Sequence, residues 1–375
     1  MRVRDVTARV LKATPETGVV FGIGKFDAFT CVLVEVTTDD GLVGYGEAIA
    51  RRGAAMTKAA VEDLLAEVVI GQDPRNIERL WVLMHDRLRR WGHSGGVVLE
   101  AMSGVDIALW DVVGKAEGMA IADLLRGYGR SEVPVYGSSV YIDEEAVMVA
   151  QATEQVAAGF PALKIKIGRS TEKQGLDADV AVVRAIREAV GDSVELLVDA
   201  NGAYDVATAL RLCRRLESLD LAFFEEPLPP DSLDGYERLH SMTSVPLARG
   251  ETDFGIFDFN RLLRRQLIDL VQPDTARCGG ITGARHAYTL AFAHNVAFGP
   301  HTGFSGGISQ LAAIHVAAAA PSLWRLEHMF IDNPLRELFL EPFPQARNGI
   351  VTTPTGPGLG LELDMAKVEA FTVRT

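Results

Sequence analysis

The chain has 375 residues, 48% of them apolar and 23% charged, with a formal charge of −13. That length suits one barrel of ordinary size plus a second domain, and the composition is that of a globular protein with a large core. The negative charge argues against nucleic acid or an anionic membrane as a partner, although a local cluster of cations can reverse the field in one pocket.

Residues 1 to about 60 alternate as antiparallel strands do, in Phe29-Thr30-Cys31-Val32-Leu33-Val34-Glu35-Val36, the turn Asp39-Asp40-Gly41 and the run Leu42-Val43-Gly44-Tyr45-Gly46-Glu47. From about 57 to 127 the period becomes helical, with Val98, Met102, Val105, Ala108, Leu109 and Val112 on one stripe and Gly127 as the expected stop. Strands followed by helices make residues 1–130 an α+β domain. The start Met1-Arg2-Val3-Arg4-Asp5-Val6 lacks the apolar stretch of a signal peptide, and no later segment approaches roughly 18 uninterrupted apolar residues, so a cytoplasmic location is expected. Cys31, Cys213 and Cys278 make no metal-binding spacing and read as reduced.

From Val133 onward strands and helices alternate strictly. Strands are predicted near 133–140, 162–167, 195–199, 222–226, 245–250, 269–273, 296–300 and 323–327, with seven amphipathic stretches between them, which is a (β/α)7β modified TIM barrel over 131–349. A doubly wound sheet alternates too, but no Gly-x-Gly-x-x-Gly follows the first strand. The tail from 350 to 375, with Gly356-Pro357-Gly358-Leu359-Gly360, is too rich in breakers for another barrel unit and is expected to return to the first domain.

Seven of the apolar runs end in ionisable residues. The steps are Lys166 to Asp199 (33 residues), Glu225 (26), Glu251 (26), Asp274 (23), His301 (27) and Glu327 (26), close to the length of one strand and one helix with short loops. In a barrel such residues collect at one rim, where barrel enzymes keep their chemistry. Asp199, Glu225 and Glu251 supply hard oxygen ligands suited to Mg2+, or Mn2+ as a substitute. The period of two in Lys164-Ile165-Lys166 puts both ammonium groups on the inward face, and two like charges there would leave one lysine neutral enough to act as a base. Asp274 precedes His301 on a neighbouring strand and would set its tautomer. Glu327 either donates a hydrogen bond from a protonated carboxyl or pairs with a lysine. A lysine on one side, a His and Asp dyad on the other and a divalent cation between them form a site for removing a proton next to a carboxylate.

Lys164-x-Lys166, Asp199-Ala-Asn201, Glu225-Glu226-Pro227, Gly250-Glu251, Asp274 with Gly279-Gly280, His301 and Glu327 resemble the mandelate racemase subgroup of the enolase superfamily. The likeness extends to Gly44-Tyr45-Gly46-Glu47 and to Asp106-Ile107-Ala108-Leu109-Trp110-Asp111 with Gly114-Lys115 in the first domain, and covers almost the whole chain. It departs at Met119-Ala120-Ile121-Ala122, where relatives tend to carry a proline. The resemblance implies that Asp199, Glu225 and Glu251 bind magnesium. It makes Lys166 and His301 the two bases, with Asp274 orienting His301, and gives Lys164 and Glu327 the substrate carboxylate. It implies a small carboxylate substrate, a capping first domain completed by the tail, and a homo-oligomer.

Specificity is then expected from the loops at about Gly18–Ala28 and Ala48–Lys58. Phe21 in the first suggests an apolar acid; Arg51 and Arg52 in the second suggest a polyol acid or diacid. Dehydration of a hydroxylated sugar acid to a 2-keto-3-deoxy acid is the reading preferred, with racemisation, epimerisation or cycloisomerisation as the alternative. A metal-dependent hydrolase barrel fits poorly, since the His-x-His of such sites is absent. Arg249 lies two residues before Glu251 and either neutralises the acids or props the barrel interior.

Overall fold

The computed structural model describes residues 1–15, 18–21, 24–169 and 172–373. The chain opens with an antiparallel sheet of β1 (Val3–Ala13), β4 (Phe29–Thr38) and β5 (Val43–Ile49) in the order β1-β4-β5, while β2 (Val19–Phe21) and β3 (Gly24–Phe26) form a separate hairpin. Helices α1 (Ala54–Ala59), α2 (Ala66–Val69), α3 (Ile77–Arg89), α4 (Val97–Glu117) and α5 (Ile121–Leu125) follow. Every residue of α4 from Leu99 to Gly114 is buried, so the single apolar stripe read from the sequence understates it. The helix lies between the sheet and the barrel, and it approaches β5 backbone to backbone. A Cβ on Gly46 would stand 1.9 Å from the carbonyl oxygen of Gly104, so glycine is required there.

The long helix stops at Gly118, which holds φ 66, and not at Gly127. Gly127 is small for another reason: a Cβ there would meet the Ala319 carbonyl at 2.3 Å.

Eight parallel strands carry the second half. They are β6 (Glu132–Val140), β7 (Ala162–Lys166), β8 (Glu195–Asp199), β9 (Leu221–Glu225), β10 (Leu247–Arg249), β11 (Leu270–Val271), β12 (Ala297–Phe298) and β13 (Leu326–His328). Their order is β12-β11-β10-β9-β8-β7-β6-β13. The Phe298–Leu323 bridge and the Glu327 N–H to Pro300 carbonyl bond (3.1 Å) bring the two ends together. Seven helices lie between the strands: α6 (Glu145–Ala157), α7 (Lys173–Val190), α8 (Val206–Leu216), α9 (Leu233–His240), α10 (Gly255–Arg264), α11 (Gly280–His294) and α12 (Gly307–Ala319). Strands β10 to β12 are shorter than their apolar runs. Past β11 the Gln272 N–H still bonds the Arg249 carbonyl at 2.9 Å, and Pro273, which has no N–H to give the ladder, accepts the His301 N–H at 3.1 Å.

The tail first forms β14 (Ile350–Thr352), antiparallel to β6, then α13 (Met365–Phe371), and the Val373 N–H bonds the Val10 carbonyl of β1 at 2.8 Å. Two carboxylates stitch the first half to the barrel. Glu47, at the end of β5, accepts the N–H groups of Gly306 (2.5 Å) and Ser309 (3.0 Å) at the start of α12. Asp106, on α4, accepts the N–H (2.9 Å) and hydroxyl (2.7 Å) of Thr282 on α11. Cys31, Cys213 and Cys278 are free and buried. Among the described residues no helix is long and apolar enough to cross a membrane.

Candidate active site

The parallel register carries the ionisable residues to one end. Lys166 pairs with Asp199, and Asp199 with Glu225, so three strands present their last side chains side by side. Glu251, Asp274 and His301 lie just past β10, β11 and β12, and Glu327 lies within β13. All are buried.

Lys164 is wholly enclosed. Its Nζ stands 2.9 Å from both Glu225 oxygens, 2.7 Å from Glu327 Oε1 and 3.6 Å from Asp199 Oδ2. Burial alone would lower its affinity for a proton, but Glu225, Glu327, Tyr136 and Asp199 outweigh it and hold the ammonium well above its ordinary range. The expectation that mutual repulsion leaves a lysine neutral does not hold for this one. The counter-ions, invisible as a pattern of like charges, decide the sign. Lys166 bonds Asp199 directly.

Glu327 is likewise a paired carboxylate and not a protonated donor. Burial would raise it, but His301, Lys164 and Lys166 hold it far below the ordinary carboxylate range. It accepts the Ser138 hydroxyl at 2.5 Å and the Thr302 N–H at 2.7 Å.

Asp274 Oδ2 lies 2.8 Å from His301 Nδ1. That bond turns Nε2 toward Glu251 (3.2 Å) and Glu327 (3.4 Å). The imidazole is raised above its usual range: burial opposes the charge, and Glu251, Glu327 and Asp274 overcome it. Glu251 in turn is driven well below the ordinary range, because His301, Arg51 and Lys166 outweigh the effect of burial. Glu225 moves the other way, to about 7, pushed up by burial and by Asp199.

One carboxylate oxygen each of Glu225 and Glu251 and one ring nitrogen of His301 lie within 4.8 Å of one another, close enough to share a cation. Asp199 is drawn to Lys166 and stands outside that group. Asn201 donates to Glu251 Oε1 at 3.1 Å, and its own Oδ1 is buried without a partner among the described residues. Buried carboxylates with an unsatisfied amide oxygen beside them fit a hard divalent cation.

A cavity of about 260 Å³ opens onto this group. Lys166, Asn201, Glu251, His301, Glu327 and Ser138 line its floor. Phe26, Tyr141, Phe304 and Met329 form an apolar wall, with Phe26 and Phe304 at 4.2 Å between ring centres. Arg51 and Arg52 also line it, Arg51 half-buried and Arg52 exposed. Lys164 lies beneath the floor and is not among the lining residues. Phe21 belongs to β2, and its side chain lies outside the described residues.

Two family profiles match this chain. Residues 147–367 match the enolase C-terminal domain-like family, and residues 5–126 match the mandelate racemase / muconate lactonizing enzyme N-terminal domain. The chain belongs to the mandelate racemase and muconate lactonizing enzyme family of the enolase superfamily. It is an enzyme of that family. It is 36% identical to a D-galactarolactone cycloisomerase of Agrobacterium fabrum over 99% of both chains. It is also 36% identical to an arabinonate dehydratase of Saccharolobus solfataricus, over 88% of this chain and 87% of that one. A racemase from Streptomyces coelicolor, solved with bound magnesium, superposes with a TM-score of 0.89 at 31% identity, over 99% of this chain and 100% of that one.

Some neighbours of the family's signature positions escape a reading of strand ends. Ser138 sits within β6, and Gln272, whose Nε2 donates to Glu225 at 2.8 Å, precedes Asp274 by two. A polar residue inside an apolar run was the available signal for Gln272. Arg51 contacts Glu251 Oε2 at 2.7 Å, so one arginine of the capping loop is bound to the cluster itself. Arg249 instead grips Asp253 with two bonds of 2.7 Å and stacks on Tyr236, away from the acids.

Proposed function

We propose that this enzyme removes the proton α to the carboxylate of a hydroxylated sugar acid and expels the β-hydroxyl, yielding a 2-keto-3-deoxy acid. The observation that supports this reading is that Lys166 and His301, the latter bonded to Asp274, line one cavity together with Glu251. Lys166 takes the α-proton; His301, held by Asp274, gives its Nε2 proton to the departing hydroxyl, and the enol that remains tautomerises. Lys164 and Glu327 set the charge of the floor on which the substrate carboxylate rests.

Glu225 and Glu251 would hold Mg2+, or Mn2+ in its place, with Asp199 joining them on parting from Lys166. That cation would supply positive charge to the carboxylate as it gains electron density in the enediolate. The names of similar proteins, an arabinonate dehydratase among them, support a sugar acid as substrate. The full-length match to a D-galactarolactone cycloisomerase supports a second reading, in which the same two groups move a proton without loss of water.

The test is a panel of aldonic and aldaric acids and their lactones with Mg2+ in heavy water, following α-deuterium uptake and keto-acid release together. Keto-acid release supports dehydration. Uptake of deuterium without it selects isomerisation, and neither signal on any acid removes the proposal.

A further inference from the structure

Four cations line the cavity: Lys25, Arg51, Arg52 and Lys166. Three already have counter-ions. Arg51 is bound to Glu251, Lys166 to Asp199, and Lys25 Nζ lies 3.0 Å from Asp27 Oδ1. Arg52 is different. It is exposed, it lines the cavity, and among the described residues it has no hydrogen bond or ion pair. A solvated guanidinium costs little where it stands, but it is a planar fork of donors suited to a carboxylate.

The position of Arg52 adds to this. Its neighbour Arg51 reaches down to Glu251 on the floor and toward the Gly303 carbonyl at 3.4 Å. Arg52 follows directly in the chain, about 3.8 Å away at Cα, and is exposed where it lines the same cavity. Phe26, Tyr141 and Phe304 line the same cavity with aromatic rings that carry no charge and suit the C–H faces of a sugar chain. A ligand filling this cavity therefore meets the paired charges of the floor, uncharged rings and one uncommitted cation.

We infer that Arg52 receives a second, distal carboxylate, so that the substrate class is a sugar diacid or its monolactone in preference to a sugar monoacid. The inference rests on the proposed reaction at the floor and adds the other end of the substrate. For a chain with a formal charge of −13, a dianion is otherwise a disfavoured guest, and a free arginine on the cavity lining offsets that repulsion locally.

The experiment uses the full chain with Mg2+ and two comparisons. The first is kcat/KM for galactarate against galactonate, which differ only at C6. The wild type is expected to favour the diacid, with Arg52→Gln reducing that preference on the order of tenfold or more and Arg52→Lys restoring part of it. The second needs no turnover: binding of adipate against hexanoate by calorimetry, in wild type and in the same two variants. Adipate is expected to gain over hexanoate in the wild type and to lose that gain in Arg52→Gln. A monoacid preference in the wild type, or an adipate advantage unchanged by Arg52→Gln, overturns the inference. Failure of the reaction proposal is seen separately, as no α-exchange on any acid while the adipate advantage and its dependence on Arg52 persist.

Discussion

At the floor of the cavity the ionisable groups are paired with groups from other strands or from the first domain, whereas Arg52 has no hydrogen bond or ion pair among the described residues, and aromatic rings line the same cavity. The two regions also differ in what positions them. Floor residues inherit their places from parallel register, Lys166 beside Asp199 and Asp199 beside Glu225. Mouth residues arrive from the first domain, on the β2–β3 hairpin and the segment between β5 and α1. Exchanging a mouth residue disturbs no strand pairing, so the same reaction can be offered to different acids. Exchanging a floor residue unsettles several charges together.

The comparison breaks first if the floor is not where the protons move. Lys166→Met and His301→Asn are each expected to lower turnover by about 10³-fold. The pair is most informative when α-deuterium uptake is measured alongside product. With Lys166 as the abstracting group, His301→Asn stops loss of the hydroxyl but keeps some exchange, and Lys166→Met stops both. Equal exchange in both variants would show that the two arms do not have separate tasks.

The next effect concerns the seam between the regions. Glu47 is pushed up to about 7 from the 4.5 of an ordinary glutamate; burial dominates, and the N–H groups of Ser309 and Gly306 only partly offset it. Between those two values the folded chain binds a proton that the unfolded chain has released. Stability contributed at this site is therefore full below about pH 4.5, falls as pH rises toward 7, and is level above that, a change of up to about 3 kcal/mol. Glu47→Gln is expected to flatten that part of the curve, which thermal unfolding midpoints taken at half-unit steps from pH 4.5 to 8 would show. An unchanged slope would assign it to another buried acid such as Asp106, which is also raised to about 7.

Asp274→Asn comes third. The amide can keep a bond to His301 Nδ1 but removes one of the three charges that raise the imidazole. With His301 as the general acid, the high-pH limb of kcat is expected to move to lower pH, with a loss of roughly tenfold to a hundredfold in kcat near neutrality. A uniform loss with no shift in the limb would mean that Asp274 only holds the ring in place.

The floor was largely legible before any coordinates because its residues terminate apolar runs at a nearly constant interval, and a closed sheet turns that interval into proximity. The charge states were not legible. Lys164 and Lys166 look like a repelling pair in the sequence, yet each faces a carboxylate from another strand, and a linear reading sees like charges two residues apart more readily than opposite charges 33 or 61 residues apart. The same limit hid Ser138, whose partner Glu327 is 189 residues away. Arg51 and Arg52 looked equivalent as adjacent arginines in one loop. Folding gives one to Glu251 and leaves the other exposed on the cavity lining, a distinction set by the direction of two side chains and by nothing in their order.

The smallest expected effect lies on the wall. Tyr141 lines the cavity, its ring 6.4 Å from that of Phe304, and its hydroxyl is 3.5 Å from Ser139 Oγ. Burial pushes the phenol well above its ordinary range, so the hydroxyl stays a neutral group able to donate to a sugar hydroxyl. Tyr141→Phe keeps the ring and removes only the donor, and a single neutral hydrogen bond is worth about 1 kcal/mol. The expected result is a three- to tenfold fall in kcat/KM, borne mainly by KM, with kcat little changed because no charge at the floor has moved. A fall in kcat beyond about a hundredfold would place Tyr141 with the floor in function, and the boundary between a fixed reaction centre and an exchangeable mouth would then run through the aromatic wall and not beneath it.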